Sequence, residues 1–321
     1  MGNYTIHAKN HQEWLEAREG GIGSSDVATL LGVNPWQTPY QLWLVKTGRV
    51  LNVEKESFLM KAGHYLEDAI SHFCADETGL EIIKSSAEEF IVVDKDKPYL
   101  RVSPDRYAWM PELPHTKNNK VIIECKSTQN YIDEDDIPKY WFSQVQYQMG
   151  VCGIDKAVVA WLTQGRQFNY KWLEFDSEFY HDVIVAEIDR FWNENVLGDK
   201  EPELTDINDV LAKYPRQQDG MRAVATDEIV SVWNELKETN AEIKRLQALK
   251  EAAESRIKVA MGEAESLCTQ ATAESPSRLL ATWKAGKSSE RFNEALFKEQ
   301  NPEVWAQYLR TTESTRRFML K

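Results

Sequence analysis

"SPDRYAWMPELPHTKNNKVIIECKS", residues 103–127, decides how the first 200 residues fold. Near its end Val121, Ile122 and Ile123 form an unbroken β-branched run, as expected of a central strand buried on both faces. A polar, hairpin-like stretch with Pro111, Pro114, Asn118 and Asn119 leads into it. The strand continues past its apolar run into Glu124, Cys125 and Lys126. Residues two apart on a strand share a face, so Glu124 and Lys126 point one way and Cys125 packs on the other. Burying an acid and a lysine there costs several kcal/mol unless they pair or bind a metal. Asp105, straight after Pro104 at the end of the preceding strand, reaches the same end of the sheet.

The flanking sequence supplies the other layers. "NHQEWLEARE" (10–19) has helical spacing and ends in Gly20-Gly21. Ser24 or Ser25 then caps a short helix that Gly32 closes, and Thr38-Pro39 opens another that ends before Gly48. Glu56 to Thr78 reads as a longer helix, with apolar residues three and four apart at Phe58, Leu59, Ala62, Leu66, Ala69, Ile70 and Phe73. Strands follow in "LEIIKSS", "EFIVVD", "YLRVSPDRYAWM" and "KVIIECKS". After them come a helix near residues 138–151, the strands "KAVVAWLT" and "QFNYKWLEF", and a helix over residues 177–196. This order predicts an α/β fold: one mixed sheet flanked by helices, with an α-helical C-terminal appendage. The expected domains are residues 1–200, a polar, Pro-containing linker at 201–225, and a helical region at 226–321. Within the last, Ile229, Val232, Leu236, Ile243, Leu246, Ala253, Ile257 and Ala260 keep helical spacing and lapse only near Thr239 and Lys250. That pattern predicts a helical hairpin or coiled coil, and "SRLLATWKAG…STRRFMLK" reads as a short β/helix cap.

Composition limits the function classes. The net charge is −13, which argues against non-specific coating of nucleic acid. The acid excess sits in the first 200 residues, with 20 basic and 31 acidic side chains, so the acids there need a purpose. Cys74, Cys125, Cys152 and Cys268 lie far apart with no CxxC pair and read as reduced cytosolic thiols. Neither a signal peptide nor a membrane-spanning run is expected, which predicts a cytoplasmic protein. The glycines at 20–23 lack the Gly-Lys-Ser of a nucleotide phosphate loop. His7, His11, His72, His115 and His181 show no metal-ligand spacing. The acids at 133–136 read as a solvated loop, and Trp36, Trp43, Trp109, Trp141 and Trp161 mostly as core.

Two acids and a lysine at one sheet end suit phosphodiester cleavage: carboxylates hold a divalent cation that polarises the phosphate, and the lysine orients the nucleophile. A Glu-x-Lys triplet alone is common by chance and equally reads as an ion pair on an edge strand. Its partners, Pro104-Asp105 upstream and the helical Glu67, shift the balance. The set Pro104-Asp105…Glu124-x-Lys126 resembles the signature of the PD-(D/E)XK nuclease superfamily. More narrowly, residues 10 to about 195 resemble the lambda exonuclease / YqaJ-type viral recombinase family. Four blocks in order carry that resemblance: "AREGGIGSSDVATLLG", "AGHYLEDAI", "SPDRYAW…IIECK" and "WFSQVQYQM".

The resemblance implies a restriction-endonuclease-like fold and a set of roles. Asp105, Glu124 and the backbone carbonyl of Cys125 would hold Mg²⁺, for which Mn²⁺ can substitute. Lys126 would activate or position the attacking water. Glu67 would join the metal site or stand just behind it, and Gln144 would lie beside it. Trp141 stands where the family often has Tyr, so Gln146 with Tyr147 is a second register for this helix. Arg18, Ser25, Ser103 and Gln144 would form a pocket for a 5′ phosphate, whereas Arg18 read by itself is a cation complementing a helix C-terminus. His64, three residues before Glu67, reads as a surface or supporting residue. The implied activity is an exonuclease that degrades the 5′-ended strand of linear duplex DNA for phage-type recombination. Its implied partners are double-stranded DNA ends, a single-strand annealing protein and its own copies in a ring-shaped trimer. An endonuclease on the same fold, restriction-like or structure-specific, is the alternative, and a non-catalytic DNA-end-binding module is a third.

Overall fold

The computed structural model describes residues 3–50, 58–83, 90–271, 276–290, 292–310 and 316–321. Expectations at Glu56, at residues 84–86, at Glu89 and at residues 314–315 lie outside the described residues. The chain divides into two compact units, Met1–Lys213 and Tyr214–Lys321.

The first unit runs β1 (Tyr4–His7), α1 (His11–Glu19), α2 (Ser24–Leu30), α3 (Pro39–Lys46), α4 (Phe58–Thr78), β2 (Glu81–Ile82) and β3 (Phe90–Val93). It continues with β4 (Arg101–Val102), β5 (Arg106–Trp109), β6 (Lys120–Thr128), α5 (Lys139–Cys152), β7 (Lys156–Thr163) and β8 (Gln167–Glu174). Wide helical turns over Phe179–Val185 and Phe191–Leu197 then flank α6 (Ala186–Arg190), and α7 (Ile207–Lys213) closes the unit. One sheet has the order β2-β5-β6-β7-β8, and a small one has β1-β3-β4. Within the larger sheet β6 and β7 pair in parallel and the other neighbours antiparallel. A parallel pair needs a crossover, and α5 provides it.

Alternation along β6 divides the core. Val121, Ile123 and Cys125 pack with Ile70 and Cys74 of α4. Ile122 packs on the opposite face with Trp141, Val145 and Met149 of α5. The fully buried Val121-Ile122-Ile123 run confirms a central strand. The mixed sheet with helices on its faces is the expected restriction-endonuclease-like arrangement.

Several local expectations differ from what forms. The cap of α2 is not a serine: Gly23 holds that position, and its N–H donates to Asp26 Oδ2 at 2.9 Å. Thr38 does cap α3, accepting the Gln41 N–H at 3.2 Å. Along α4 only the half from Leu66 onward lies over the sheet, so Phe58 and Leu59 are exposed although they continue its apolar spacing. Trp36 is the exception among the expected core tryptophans, 72% exposed and edge-on to Tyr140. The stretch expected as linker is divided. Residues 201–213 belong to the first unit because Asp209, fully buried, accepts hydrogen bonds from the Thr38 hydroxyl (2.7 Å) and the Thr205 N–H (3.0 Å).

In the second unit α8 (Asp227–Met261) starts at Thr226, whose hydroxyl accepts the Ile229 N–H at 3.3 Å. The region after it is mixed rather than helical: β9 (Ser266–Cys268) pairs with β10 (Leu279–Thr282), and α9 (Glu294–Gln300) and α10 (Pro302–Gln307) follow. Among the described residues no helical hairpin forms around α8, because Gly262 at φ +55° ends it and the chain turns into β9. Among the described residues, no helix is long and apolar enough to cross a membrane.

Candidate active site

The site forms where β6 loses a neighbour. Antiparallel β5 begins at Arg106, opposite Ile123, so from Glu124 onward β6 pairs only with β7. Pro104 lacks an N–H and interrupts the extended stretch after β4. Asp105 therefore stands in the break just ahead of β5, not at the end of a continuous strand. There its Oδ2 accepts the N–H of Cys125 at 2.7 Å.

Glu124 is 1% exposed and fully engaged. Its Oε1 accepts Lys126 Nζ at 2.7 Å and Gln144 Nε2 at 2.5 Å, and its Oε2 accepts Gln148 Nε2 at 2.9 Å. Lys126 Nζ also donates to Gln144 Oε1 at 3.0 Å. Gln144 and Gln148 are one helical turn apart on α5, so one helix face holds both oxygens of the acid. Such pairing is what makes a buried carboxylate tolerable. Burial works against the Lys126 ammonium, yet Glu124 and Asp105 outweigh it and hold the group above its usual pKa. Burial, then the like charges of Glu124 and Glu67, push the Asp105 carboxyl well above its usual pKa. Burial also raises Glu67, against the opposing pull of His64 and Arg106. His64 itself is exposed, with Nδ1 3.0 Å from Glu67 Oε1, a supporting position.

A cleft of about 1450 Å³ connects this acidic end to the N-terminal block. Arg18, Ser25 and Ser103 line it together with Glu67, Asp105, Glu124, Lys126 and Gln144, so the first-choice residues share one space. Arg18 Nη2 donates to Ser25 Oγ at 2.6 Å, and its guanidinium lies 5.2 Å from the Trp14 ring centre. The second register on α5 faces elsewhere. Gln146 bonds the Glu174 carbonyl and the Asp176 N–H, and Tyr147 bonds the Ile22 carbonyl.

Two features escaped the sequence reading. Gln148 was legible in principle as the residue four after Gln144 in "SQVQYQM". The Asp26–Lys46 ion pair, 2.8 Å long and buried, had no local signal because its partners lie on different helices. Lys46 also donates to the Gly21 carbonyl at 2.7 Å, fixing the loop ahead of Ser25.

The donor chemistry fits a hard divalent cation. Asp105, Glu124 and the Cys125 carbonyl offer only oxygens, the preference of Mg²⁺ and Mn²⁺. Among the described residues no three His, Cys, Asp or Glu side chains form a ready-made cage. Mg²⁺ does not require one, since it usually takes one or two carboxylates and completes its shell with water and substrate phosphate.

A mixed sheet whose central strand ends in this acid–lysine cluster has the chemical equipment that phosphodiester cleavage needs. Residues 13–155 match the model of the YqaJ-like viral recombinase domain. The Bacillus subtilis (strain 168) protein described as "Uncharacterized protein YqaJ" is 31% identical over 333 residues, covering 98% of this chain and 97% of that one. The chain belongs to the YqaJ-like viral recombinase domain family. Among solved structures, an alkaline exonuclease from Laribacter hongkongensis matches 59% of this chain and 93% of its own, with 18% identity and a TM-score of 0.45. A phage-related exonuclease from Haemophilus somnus 129PT matches 56% and 96%, with 12% identity and a TM-score of 0.40. No residue role follows from either.

Proposed function

We propose that this chain is a divalent-metal-dependent exonuclease that digests the 5′-ended strand of linear duplex DNA and leaves 3′ overhangs. One observation carries the reading: Arg18–Ser25 and the Asp105–Glu124–Lys126 cluster line the same cleft, a phosphate-binding fork at one part and a phosphodiester-cleaving set at another. Membership of a viral recombinase family supports a role in recombination, with a single-strand annealing protein as the user of the overhang.

Asp105, Glu124 and the Cys125 carbonyl would hold Mg²⁺ or Mn²⁺, with Glu67 beside them. When bound, the ion supplies Lewis-acid polarisation of the scissile phosphate. The chain's own residues do the rest. Lys126 places a compact cation where negative charge develops during attack, and Gln144 holds that ammonium in position. Gln148 fixes Glu124 from the other side. Arg18 offers a bidentate fork to a terminal phosphate, and Ser25 adds a hydroxyl.

Linear and closed circular duplexes of one sequence, each with Mg²⁺, provide the test. Loss of 5′-labelled ends from the linear form, an untouched circle, and a preference for 5′-phosphate over 5′-hydroxyl ends are expected. Asp105→Asn and Glu124→Gln should abolish cleavage while the protein stays folded. Cutting of the closed circle would establish the endonuclease reading instead, and indifference to the 5′ phosphate would remove the Arg18 pocket.

A further inference from the structure

Helix α8 extends over 35 residues, and among them only Met261 is buried. Eight of its apolar residues fall on a seven-residue repeat, with Val230, Trp233, Leu249 and Val259 outside it. Ile229, Leu236, Ile243 and Ile257 occupy the first position of each heptad, and Val232, Leu246, Ala253 and Ala260 the fourth. The repeat lapses twice, at Lys250 in a first position and Thr239 in a fourth. A sustained 3.5-residue period defines a narrow seam for one further helix, not a broad face for a globular core.

The lapses identify that helix. Two copies of α8 laid antiparallel bring first positions against fourth positions. In the fully overlapped register Ile229 meets Ala260′, Val232 meets Ile257′, Leu236 meets Ala253′ and Ile243 meets Leu246′, the prime marking the second copy. The two polar residues, Thr239 and Lys250′, then fall in the same layer. Sliding by one heptad either way sets Lys250 against Val232′ or Leu246′ and buries its charge on an apolar partner. A parallel pair would put Lys250 against Lys250′. On the flanks of the antiparallel register Glu235 faces Arg256′, twice by symmetry. Large residues opposite small ones, one shared polar layer and opposite charges on the flanks all select a single arrangement.

We infer that α8 is a self-association element, pairing two copies of this chain through an antiparallel coiled coil over Ile229–Ala260. The inference is independent of the nuclease reading, since no residue of the cleft lies on α8.

The test uses the full chain with Cys268→Ser as background, because Cys268 is the exposed one of its four cysteines. Residues 236 and 253 lie about 26 Å apart along one helix at 1.5 Å per residue, so they can bridge only between copies. Leu236→Cys with Ala253→Cys should oxidise to a disulfide-linked dimer, whereas Leu236→Cys alone should not. Light scattering across a dilution series gives the second measurement. Glu235→Arg or Arg256→Glu should weaken self-association roughly tenfold or more, since two attractive contacts become repulsive. The double exchange should restore it. A dimer from Leu236→Cys alone would mean a parallel pair and overturn the arrangement. Absence of the double-cysteine dimer, or exchanges that leave the mass unchanged, would show the seam belongs to another protein or to the chain's own tail.

Discussion

Asp26→Asn should destabilise the first unit by about 3 kcal/mol without touching the cleft's acids. The Asp26 and Lys46 side chains are 12% and 7% exposed, and their 2.8 Å contact is the main compensation for burying either charge. Asparagine keeps an oxygen for the Gly23 N–H and so removes the charge alone. Lys46 is then left as a buried cation with only neutral oxygens before it, that of the new amide and the Gly21 carbonyl. Removing one partner of a buried pair costs about 3–5 kcal/mol, and the surviving carbonyl bond puts this case at the lower end. Lys46→Met should cost about 2–3 kcal/mol, because Gly23 and Arg18 still stabilise the carboxylate. With both charges gone, the double variant should cost less than either single, a coupling of at least about 3 kcal/mol. Urea unfolding followed by tryptophan fluorescence measures it, since buried Trp43 lies one turn before Lys46, and the first unit's transition is fitted separately. The pH dependence has a definite sign. Burial alone would raise the Asp26 pKa, but Lys46 and Arg18 outweigh it and hold the folded-state value below the usual one near 3.8. Its contribution is therefore full above about pH 4 and disappears as pH falls through the lowered folded-state value. Additivity of the two single variants within about 0.5 kcal/mol would refute this account.

Tyr147→Phe removes a buried hydroxyl that donates to the Ile22 carbonyl and accepts the Arg101 N–H, both at 2.9 Å; thermal unfolding should register a loss of about 1–3 kcal/mol. Gly150→Ala would usually stabilise a helix, but its Cβ would lie 2.2 Å from the Tyr180 ring, so a loss above about 2 kcal/mol and a lower urea midpoint are expected. Lys126→Ala should lower turnover roughly a hundredfold or more with little change in DNA affinity, and Lys126→Arg should not rescue it; equal losses of rate and affinity in filter binding would make it a phosphate anchor.

Much of the fold was legible because burial leaves a period in the sequence. Val121-Ile122-Ile123 announced a two-sided strand, and the bounds of β7 match "KAVVAWLT". The face shared by Glu124 and Lys126 followed from strand alternation and recurs as a 2.7 Å contact. What stayed hidden depended on neighbours distant in the chain. Phe58 and Leu59 continue the spacing of α4, but nothing local says that the sheet ends before them. Asp209 looks like any acid in a polar stretch until Thr38, far upstream, donates to it. The α2 cap misled because two serines precede Asp26, and the aspartate reaches back to Gly23 instead.

The hydrogen bond from the Cys125 N–H to Asp105 has a consequence for folding fidelity. A slip of one residue between β5 and β6 would turn the side chains of β5 to the opposite face, since pairing with β7 holds β6, while leaving a sheet of almost unchanged hydrogen-bond content. Asp105 can reach the Cys125 N–H only in the correct alignment, so the side chain proposed as a metal ligand also proofreads the strand pairing beneath it. Substitutions at Asp105 should then be of two kinds. Asparagine keeps an acceptor and a correctly aligned hairpin, whereas alanine also removes the check. The difference would be seen in how uniformly freshly refolded protein reaches one structure, before any substrate is added.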